Sequence, residues 1–182
     1  MILQLKQVKR LNETVLLLAF STFCLTLSIY RVVVSTTPTF LFLNWNLFLA
    51  FIPWALSSLL VVYPKLQEKK LAVIAMLGTW LLFFPNAPYI LTDLFHLKHV
   101  VSMPMWFDLL LILSFAWVGL LFGFMSLWDI EKILKRYLMK SRLKELLRYR
   151  LSIPIFSSVL LFIGSFGIYL GRYLRWNSWD TI

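Results

Sequence analysis

Five long stretches of apolar residues, each free of charged side chains, dominate the pattern of this chain. They run over Thr14–Tyr30, Val32–Pro64, Leu71–Thr92, Leu109–Trp128 and Leu151–Gly171. A helix needs about 20 residues to cross the roughly 30 Å hydrocarbon core of a bilayer. The pattern therefore predicts an all-α, polytopic transmembrane bundle of five membrane-spanning helices. It forms a single domain over residues 1–182, with spans near 14–31, 40–63, 71–85, 108–128 and 151–171.

Two proline-containing segments divide the longer stretches. Thr36–Thr39 includes Pro38, and proline favours a loop or the first turn of a helix because it lacks a backbone N–H. The second helix is therefore expected to begin near Phe40. The segment Pro85–Pro88 disfavours helix for the residue before each of its two prolines. We expect the third span to end at Pro85, with a bend after it.

Lys and Arg residues are concentrated in three of the segments that separate these stretches. Three precede the first stretch, three lie within Lys65–Lys70 and eight lie within Lys132–Arg150, which together hold 14 of the 18. Basic loops resist translocation and remain in the cytoplasm. We therefore expect a multi-pass protein of the cell membrane with its N-terminus in the cytoplasm and its C-terminus outside.

The composition places the chain among integral membrane proteins. Hydrophobic residues make up 60% of the 182 residues and charged residues only 14%, which is far too apolar for a soluble protein of this size. The net charge of +10 would suggest nucleic acid binding in a soluble protein. Eight of the cations lie in one link, however, where attraction to an anionic leaflet explains them. We expect membrane lipids as partners and no nucleic acid.

Apolar residues recur with helical spacing in the basic segment after the fourth stretch. Ile130, Ile133, Leu134, Tyr137 and Leu138 follow the spacing i, i+3, i+4, i+7 and i+8, with basic residues on the other faces. This pattern predicts a cytoplasmic amphipathic helix that lies on the surface of the leaflet.

Polar residues of the kind that membrane spans avoid collect on the predicted outer side. A helix that continues beyond the second proline places five of them on one arc: Tyr89, Thr92, Asp93, His96 and His99. Asp108 adds a second carboxylate at the start of the fourth span. Three hypotheses are open. The arc faces water or pairs with arginines, Asp93 and His96 hold a metal ion, or Asp93, His96 and Asp108 are catalytic residues that bind or protonate a substrate.

Two arginines, Arg172 and Arg175, lie one helical turn apart near the C-terminus. Guanidinium groups bind phosphates through two parallel hydrogen bonds, so these arginines are candidates for an anionic lipid or glycolipid headgroup. The alternatives are structural: side chains that extend from the helix end to the surface, or ion pairs with Asp93 or Asp108. We expect both arginines to meet Asp93, His96 and Asp108 in one outer cluster. Six further residues are expected to support it: Asn46, Asn86, Tyr89, Thr92, Asn177 and Asp180.

Sequence motifs of soluble enzymes are absent from the chain. It has no Gly-rich phosphate loop, no G-x-S-x-G, no C-x-x-C and no H-E-x-x-H. We therefore expect no cofactor, and a metal ion only under the Asp93–His96 hypothesis.

Several elements from Trp45 onward form a specific combination. They are Trp45–Ala50 with Pro53, Phe84–Tyr89 with Thr92–Leu94 and His96–Leu97, Trp106 with Asp108, and Tyr169–Arg172 followed by Asn177–Asp180. In this combination the chain resembles the bacterial membrane-protein family called domain of unknown function 1361. The resemblance implies a multi-pass bacterial membrane protein and carries over no activity. It also implies that relatives continue into more hydrophobic sequence, and a further span there would return the C-terminus to the cytoplasm.

Two classes of function follow from these patterns. The first is a non-catalytic membrane component that binds an envelope lipid or glycan or assists its export. The second is an intramembrane lipid-modifying enzyme that uses Asp93, His96 and Asp108 at the outer face. Proximity of these three side chains would favour the enzyme, whereas their burial in ion pairs with Arg172 and Arg175 would favour a structural role.

Overall fold

The structure is a computed structural model. It describes residues 10–99 and 103–140, and residues 155, 157–159, 161–162, 164–166 and 168–169. Of Lys98, His99 and residues 137–140 it describes only the backbone. The helices are α1 (Leu11–Ser35), α2 (Phe42–Val62), α3 (Lys70–Phe83), a short α4 (Asn86–Tyr89) and α5 (Met105–Lys140). Two 3-10 helices cover Pro64–Glu68 and Ile90–His99.

Four helical runs of the described residues are long and apolar enough to cross a membrane. They are α1, α2, the run Lys70–Leu97 and the Met105–Arg136 part of α5. The predicted all-α membrane bundle is thereby confirmed. For the fifth predicted span, the described residues from 155 to 169 are helical, and Ser157–Phe166 is an apolar helix shorter than a span. Its Ser157 hydroxyl donates a hydrogen bond to the Glu131 carboxylate of α5.

The third span does not end at Pro85. Phe84 and Pro85 both have helical backbone angles, and the chain continues through α4 into the 3-10 helix. The Ala87 N–H bonds to the Phe84 carbonyl, and the Asn86 side chain donates to the Phe83 carbonyl at 3.0 Å. The prolines therefore tighten the helix without breaking it, because the Asn86 side chain satisfies the carbonyl that loses its usual partner.

The predicted amphipathic segment is the last part of α5 and not a separate surface helix. With 36 residues, α5 is about 54 Å long at about 1.5 Å per residue. Ile130 and Ile133 are buried in a cluster that includes Leu60 of α2 and Trp80 of α3. Ile130 and Ile133 of this segment are thus covered by neighbouring helices.

The helix α5 is the centre of the bundle and packs against α1, α2, α4 and the second 3-10 helix. Its approach to α4 is close. A Cβ atom at Gly119 would lie 3.0 Å from the Ala87 carbonyl oxygen, and one at Gly123 would lie 2.9 Å from the Ala87 Cβ. These small residues let the two backbones meet, as is common between membrane helices.

Candidate functional sites

An ion pair joins α1 to α5 at one end of the bundle, which we call the Asp108 end. Arg31 and Asp108 are both buried, and the Arg31 Nε lies 2.7 Å from one carboxylate oxygen of Asp108. The Nη2 atom donates to the other oxygen at 3.3 Å, so the pair is bidentate. The remaining nitrogen, Nη1, donates to the Thr39 carbonyl at 3.0 Å and to the hydroxyls of Thr37 and Ser35. Each nitrogen of this guanidinium therefore has a partner.

The loop between α1 and α2 is built around this arginine. Thr36 and Phe40 both have positive φ angles, 53° and 69°, which non-glycine residues rarely adopt. Such conformations cost on the order of 1–3 kcal/mol each. These conformations bring the Thr37 hydroxyl and the Thr39 carbonyl to the guanidinium. The centre of the Phe40 ring lies 4.8 Å from the guanidinium carbon. The cost of these two conformations is offset because every nitrogen of the buried guanidinium then has a hydrogen-bond partner.

A second ion pair joins α1 to α5 at the opposite end, which we call the Asp129 end. The Arg10 Nη1 lies 2.6 Å from one carboxylate oxygen of Asp129, and both side chains are buried. The Ser57 hydroxyl of α2 lies 3.1 Å from the same oxygen. Within the described part of the chain, the Nε and Nη2 atoms of Arg10 are enclosed and have no hydrogen-bond partner. The Nε atom lies 3.9 Å from the Glu13 carboxylate, beyond hydrogen-bond distance.

The two ion pairs have the same spacing in both helices. Arg10 and Arg31 are 21 positions apart, and so are Asp108 and Asp129. Because α1 and α5 are antiparallel, the first arginine meets the second aspartate and the second arginine meets the first. At about 1.5 Å per residue, 21 residues span about 31 Å, close to the roughly 30 Å thickness of the hydrocarbon core. Arg10, Arg31 and Asp129 were not among the predicted site residues, although their equal spacing is visible in the sequence.

The predicted candidates Asp93 and His96 lie at the Asp108 end. Asp93 is buried and accepts a hydrogen bond of 2.8 Å from the Asn46 side chain of α2, while the half-buried His96 ring lies 5.4 Å from the Phe42 ring. Residues 90–99 form a 3-10 helix with three residues per turn. Asp93 and His96 therefore share one face of this helix with Ile90, whereas Thr92, which the predicted α-helical arc included, lies on a neighbouring face. In the described residues, no three His, Cys, Asp or Glu side chains are grouped to hold a metal ion.

The other predicted site residues have separate positions. Asp108 pairs with Arg31, a residue that the predicted cluster did not include. Asn86 and Thr92 each donate to a backbone carbonyl three residues earlier in the chain, and Tyr89 lies half-buried in α4. Four predicted members lie outside the described residues: Arg172, Arg175, Asn177 and Asp180. The expectation that those two arginines join the cluster is accordingly still a prediction.

An apolar cleft of about 610 Å³ lies between α1 and α2. Its walls include Leu17 and Leu25 of α1, Leu47, Phe51 and Ala55 of α2, and Phe122 of α5. It extends from Asn44 at the start of α2 to Tyr63 directly after it. Ligand sites in proteins have volumes of about 300–1,000 Å³, so this cleft is large enough to hold a small molecule or part of a lipid.

Two polar side chains in the cleft wall have incomplete hydrogen bonding. Asn44 donates to the Ser28 hydroxyl at 2.9 Å. Its carbonyl oxygen has no partner among the described residues, and the same is true of the Trp54 indole N–H. Both residues line the cleft. Enclosed polar atoms without partners cost on the order of 1–3 kcal/mol each, so they are candidates for contact with a bound molecule.

Comparison with known proteins identifies a family. A family model described as "Protein of unknown function (DUF1361)" matches residues 45–182. This part includes Asp93, Asp108 and Asp129, whereas Arg10 and Arg31 precede it. No curated protein and no solved structure matches the chain. Because the model covers most of the sequence, the chain belongs to the DUF1361 family of proteins of unknown function.

Proposed function

We propose that this protein is a non-catalytic component of the cell membrane that binds an envelope lipid or a lipid-linked glycan, or assists its export. An acyl chain of that lipid lies in the cleft between α1 and α2. The observation that carries this proposal is the open apolar cleft itself, which follows α2 over most of its length.

The depth of the cleft supports an acyl chain as the occupant. Both walls are helices long and apolar enough to span a bilayer, so the cleft lies within the hydrocarbon layer. The cleft is not closed by direct packing of its two walls, because α1 packs mainly on α5. In a membrane, lipid chains are the molecules available to fill such a space, and Phe51 and Phe122 offer them ring surfaces.

The state of the carboxylates supports binding over catalysis. Asp108, one of the three catalytic candidates, is held by Arg31 through both of its oxygens. A carboxylate that is fixed in a buried ion pair is not free to exchange protons with a substrate. The alternative, a lipid-modifying enzyme, depends on Asp93 and His96 alone.

We also propose that the Asp129 end faces the cytoplasm. Arg10, Lys65–Lys70 and the basic residues from Lys132 to Arg136 of α5 all lie at this end of the bundle, as the positive-inside rule expects of a cytoplasmic face. A reporter fused after Glu68 should therefore report the cytoplasm. A reporter fused after Phe95 should report the exterior, and the reverse pattern would refute this orientation.

Lipid that remains bound after purification tests the proposed function. The protein is purified in a mild detergent and its bound lipids are identified by native mass spectrometry. Ala55→Phe places a ring in the cleft and is expected to remove most of the bound lipid. The matched control is Ala75→Phe on the exposed face of α3, outside the cleft, and should leave the bound lipid unchanged. Equal lipid content in wild type and Ala55→Phe would contradict the proposal.

A further inference from the structure

Three enclosed hydrogen-bond donors lie beside the cleft at the Asp129 end of the bundle. They are the Nε and Nη2 atoms of Arg10 and the Nε1 atom of Trp54, and none has a hydrogen-bond partner in the described ranges 10–99 and 103–140. The Arg10 guanidinium carbon lies 5.3 Å from the centre of the Trp54 ring, so the donors are close together. Trp54 lines the cleft, as does Thr14, which lies one helical turn after Arg10. The described residues therefore leave three hydrogen-bond donors at this site without an acceptor.

The existing partners of Arg10 do not satisfy this need. Asp129 accepts from one nitrogen only, and the Ser57 hydroxyl approaches the same oxygen of Asp129. The carboxylate of Glu13 is about half exposed and lies 3.9 Å from Nε. Leaving donors of a buried charged group unpaired is costly. A bound anion with several acceptor oxygens would remove that cost.

We propose that Arg10 and Trp54 bind the phosphate group of a membrane phospholipid whose acyl chain lies in the cleft. This inference rests on the proposed function, because it takes the cleft to be the site of the chain. A phosphate supplies several strong acceptors, and a guanidinium binds it through two parallel hydrogen bonds.

The position of Arg10 fits a lipid phosphate. Arg10 and Arg31 lie about 31 Å apart along α1, so each arginine lies near one surface of the hydrocarbon core, where lipid phosphates are found. Arg10 is also the residue that precedes the first turn of α1, where the helix dipole favours a negative group. Binding requires a change in the Arg10 side-chain rotamer. The single bond to Asp129 resists that change less than a bidentate pair does.

A comparison of two lipids with identical chains tests the phosphate site. Purified protein is offered equal amounts of phosphatidic acid and diacylglycerol, and the bound species are counted by native mass spectrometry. Wild type is expected to prefer phosphatidic acid about tenfold, the effect of one hydrogen bond to a charged group. Arg10→Lys keeps a cation next to Asp129 but lacks the planar fork, and it should lose most of this preference while still binding diacylglycerol.

Two further variants control for misfolding and for general effects of charge. The double variant Arg10→Gln with Asp129→Asn leaves no unpaired buried charge, and it should also lose the preference. Arg136→Gln removes an exposed cation near the same end of α5 and should retain it.

The outcomes separate this inference from the proposed function. If wild type binds both lipids equally, or if both Arg10 variants keep the preference, the phosphate site is refuted and the cleft proposal stands. If wild type binds neither lipid, the cleft proposal itself is refuted. Inorganic phosphate at millimolar concentration should not displace phosphatidic acid, and complete displacement would show a site for the free anion instead of the lipid.

Discussion

The two arginine–aspartate pairs that connect α1 to α5 have the same composition and spacing but different environments. At the Asp108 end, Arg31 uses all three nitrogens, and both oxygens of Asp108 accept from it. At the Asp129 end, Arg10 uses one nitrogen and leaves two without hydrogen bonds in the described residues. A buried charge is stable only when its hydrogen bonds are complete. The guanidinium of the first pair is therefore fully hydrogen-bonded within the protein. The second pair leaves two donors that the proposed lipid phosphate would satisfy.

The surrounding backbone shows the same difference. The loop 36–41 adopts two left-handed residues in order to direct Thr37, Thr39 and Phe40 toward Arg31. Arg10 is buried as well, but among the described residues only Asp129 accepts a hydrogen bond from it, and its neighbour Trp54 belongs to the wall of the cleft. The strained backbone conformations thus occur at the end where they complete the hydrogen bonding of a buried ion pair. At the other end, Trp54, which contacts Arg10, lines the cleft.

Removal of one arginine at a time gives the largest expected effect. Arg31→Gln leaves Asp108 buried without a countercharge and should lower the free energy of unfolding by about 3–5 kcal/mol. Arg10→Gln should lower it by about 2 kcal/mol, because one bond is lost and Ser57 still supports Asp129. Unfolding in detergent, followed by circular dichroism during a titration with sodium dodecyl sulfate, measures both. The exposed Arg136→Gln is the control and should change the free energy by less than about 0.5 kcal/mol.

An arginine-to-lysine exchange at both positions sharpens the comparison. Lysine carries the charge but not the planar fork, so Arg31→Lys loses the bidentate geometry and should cost about 2–3 kcal/mol. Arg10→Lys reproduces the single bond to Asp129 and should cost less than about 1 kcal/mol. The same unfolding measurement applies. Equal costs at the two positions would show that the unfilled donors of Arg10 do not distinguish the two ends.

The smallest expected effect concerns two neighbouring serines in α2. The hydroxyls of Ser57 and Ser58 both lie within hydrogen-bond distance of the Trp54 carbonyl, but of the two only Ser57 can donate to Asp129 instead. Ser57→Ala should therefore cost about 1 kcal/mol more than Ser58→Ala. In the Arg10→Gln background the difference should grow, because Ser57 is then the remaining described partner of Asp129. A difference that stays constant would show that Ser57 does not support this carboxylate.

Much of the fold was accessible from the pattern of apolar residues. The helices α1 and α2 and the first part of α5 lie where the uncharged stretches predicted them. A run of about 20 apolar residues can satisfy its backbone hydrogen bonds in a membrane only as a helix. The proline segment from Pro85 to Pro88 misled the prediction. The bias against helix before proline is local, and the Asn86 side chain together with the packing of α4 on Gly119 and Gly123 overrides it.

The candidate site was predicted only in part. The sequence indicated that Asp93, His96 and Asp108 were unusual, and the structure brings Asp93 to Asn46 as one of the expected supporting residues. The predicted α-helical arc placed Thr92 on one face with Asp93 and His96, whereas a 3-10 helix repeats every three residues and aligns Ile90 with them instead. The cleft had no sequence signal at all. It exists because α1 packs on α5 rather than closely on α2.

The sequence by itself determined that this is a helical membrane protein, where its apolar stretches lie and which of the segments between them are basic. These properties depend on the composition of short segments and on the thickness of a bilayer. Only the tertiary structure decided which arginine meets which aspartate. That pairing requires α1 and α5 to be antiparallel neighbours with their charged residues facing each other. The equal spacing of 21 residues is compatible with the pairing, but the number and chemistry of the remaining contacts come from loops and helices elsewhere in the chain. Those contacts complete the hydrogen bonding of one ion pair and leave two nitrogens of the other without a partner among the described residues.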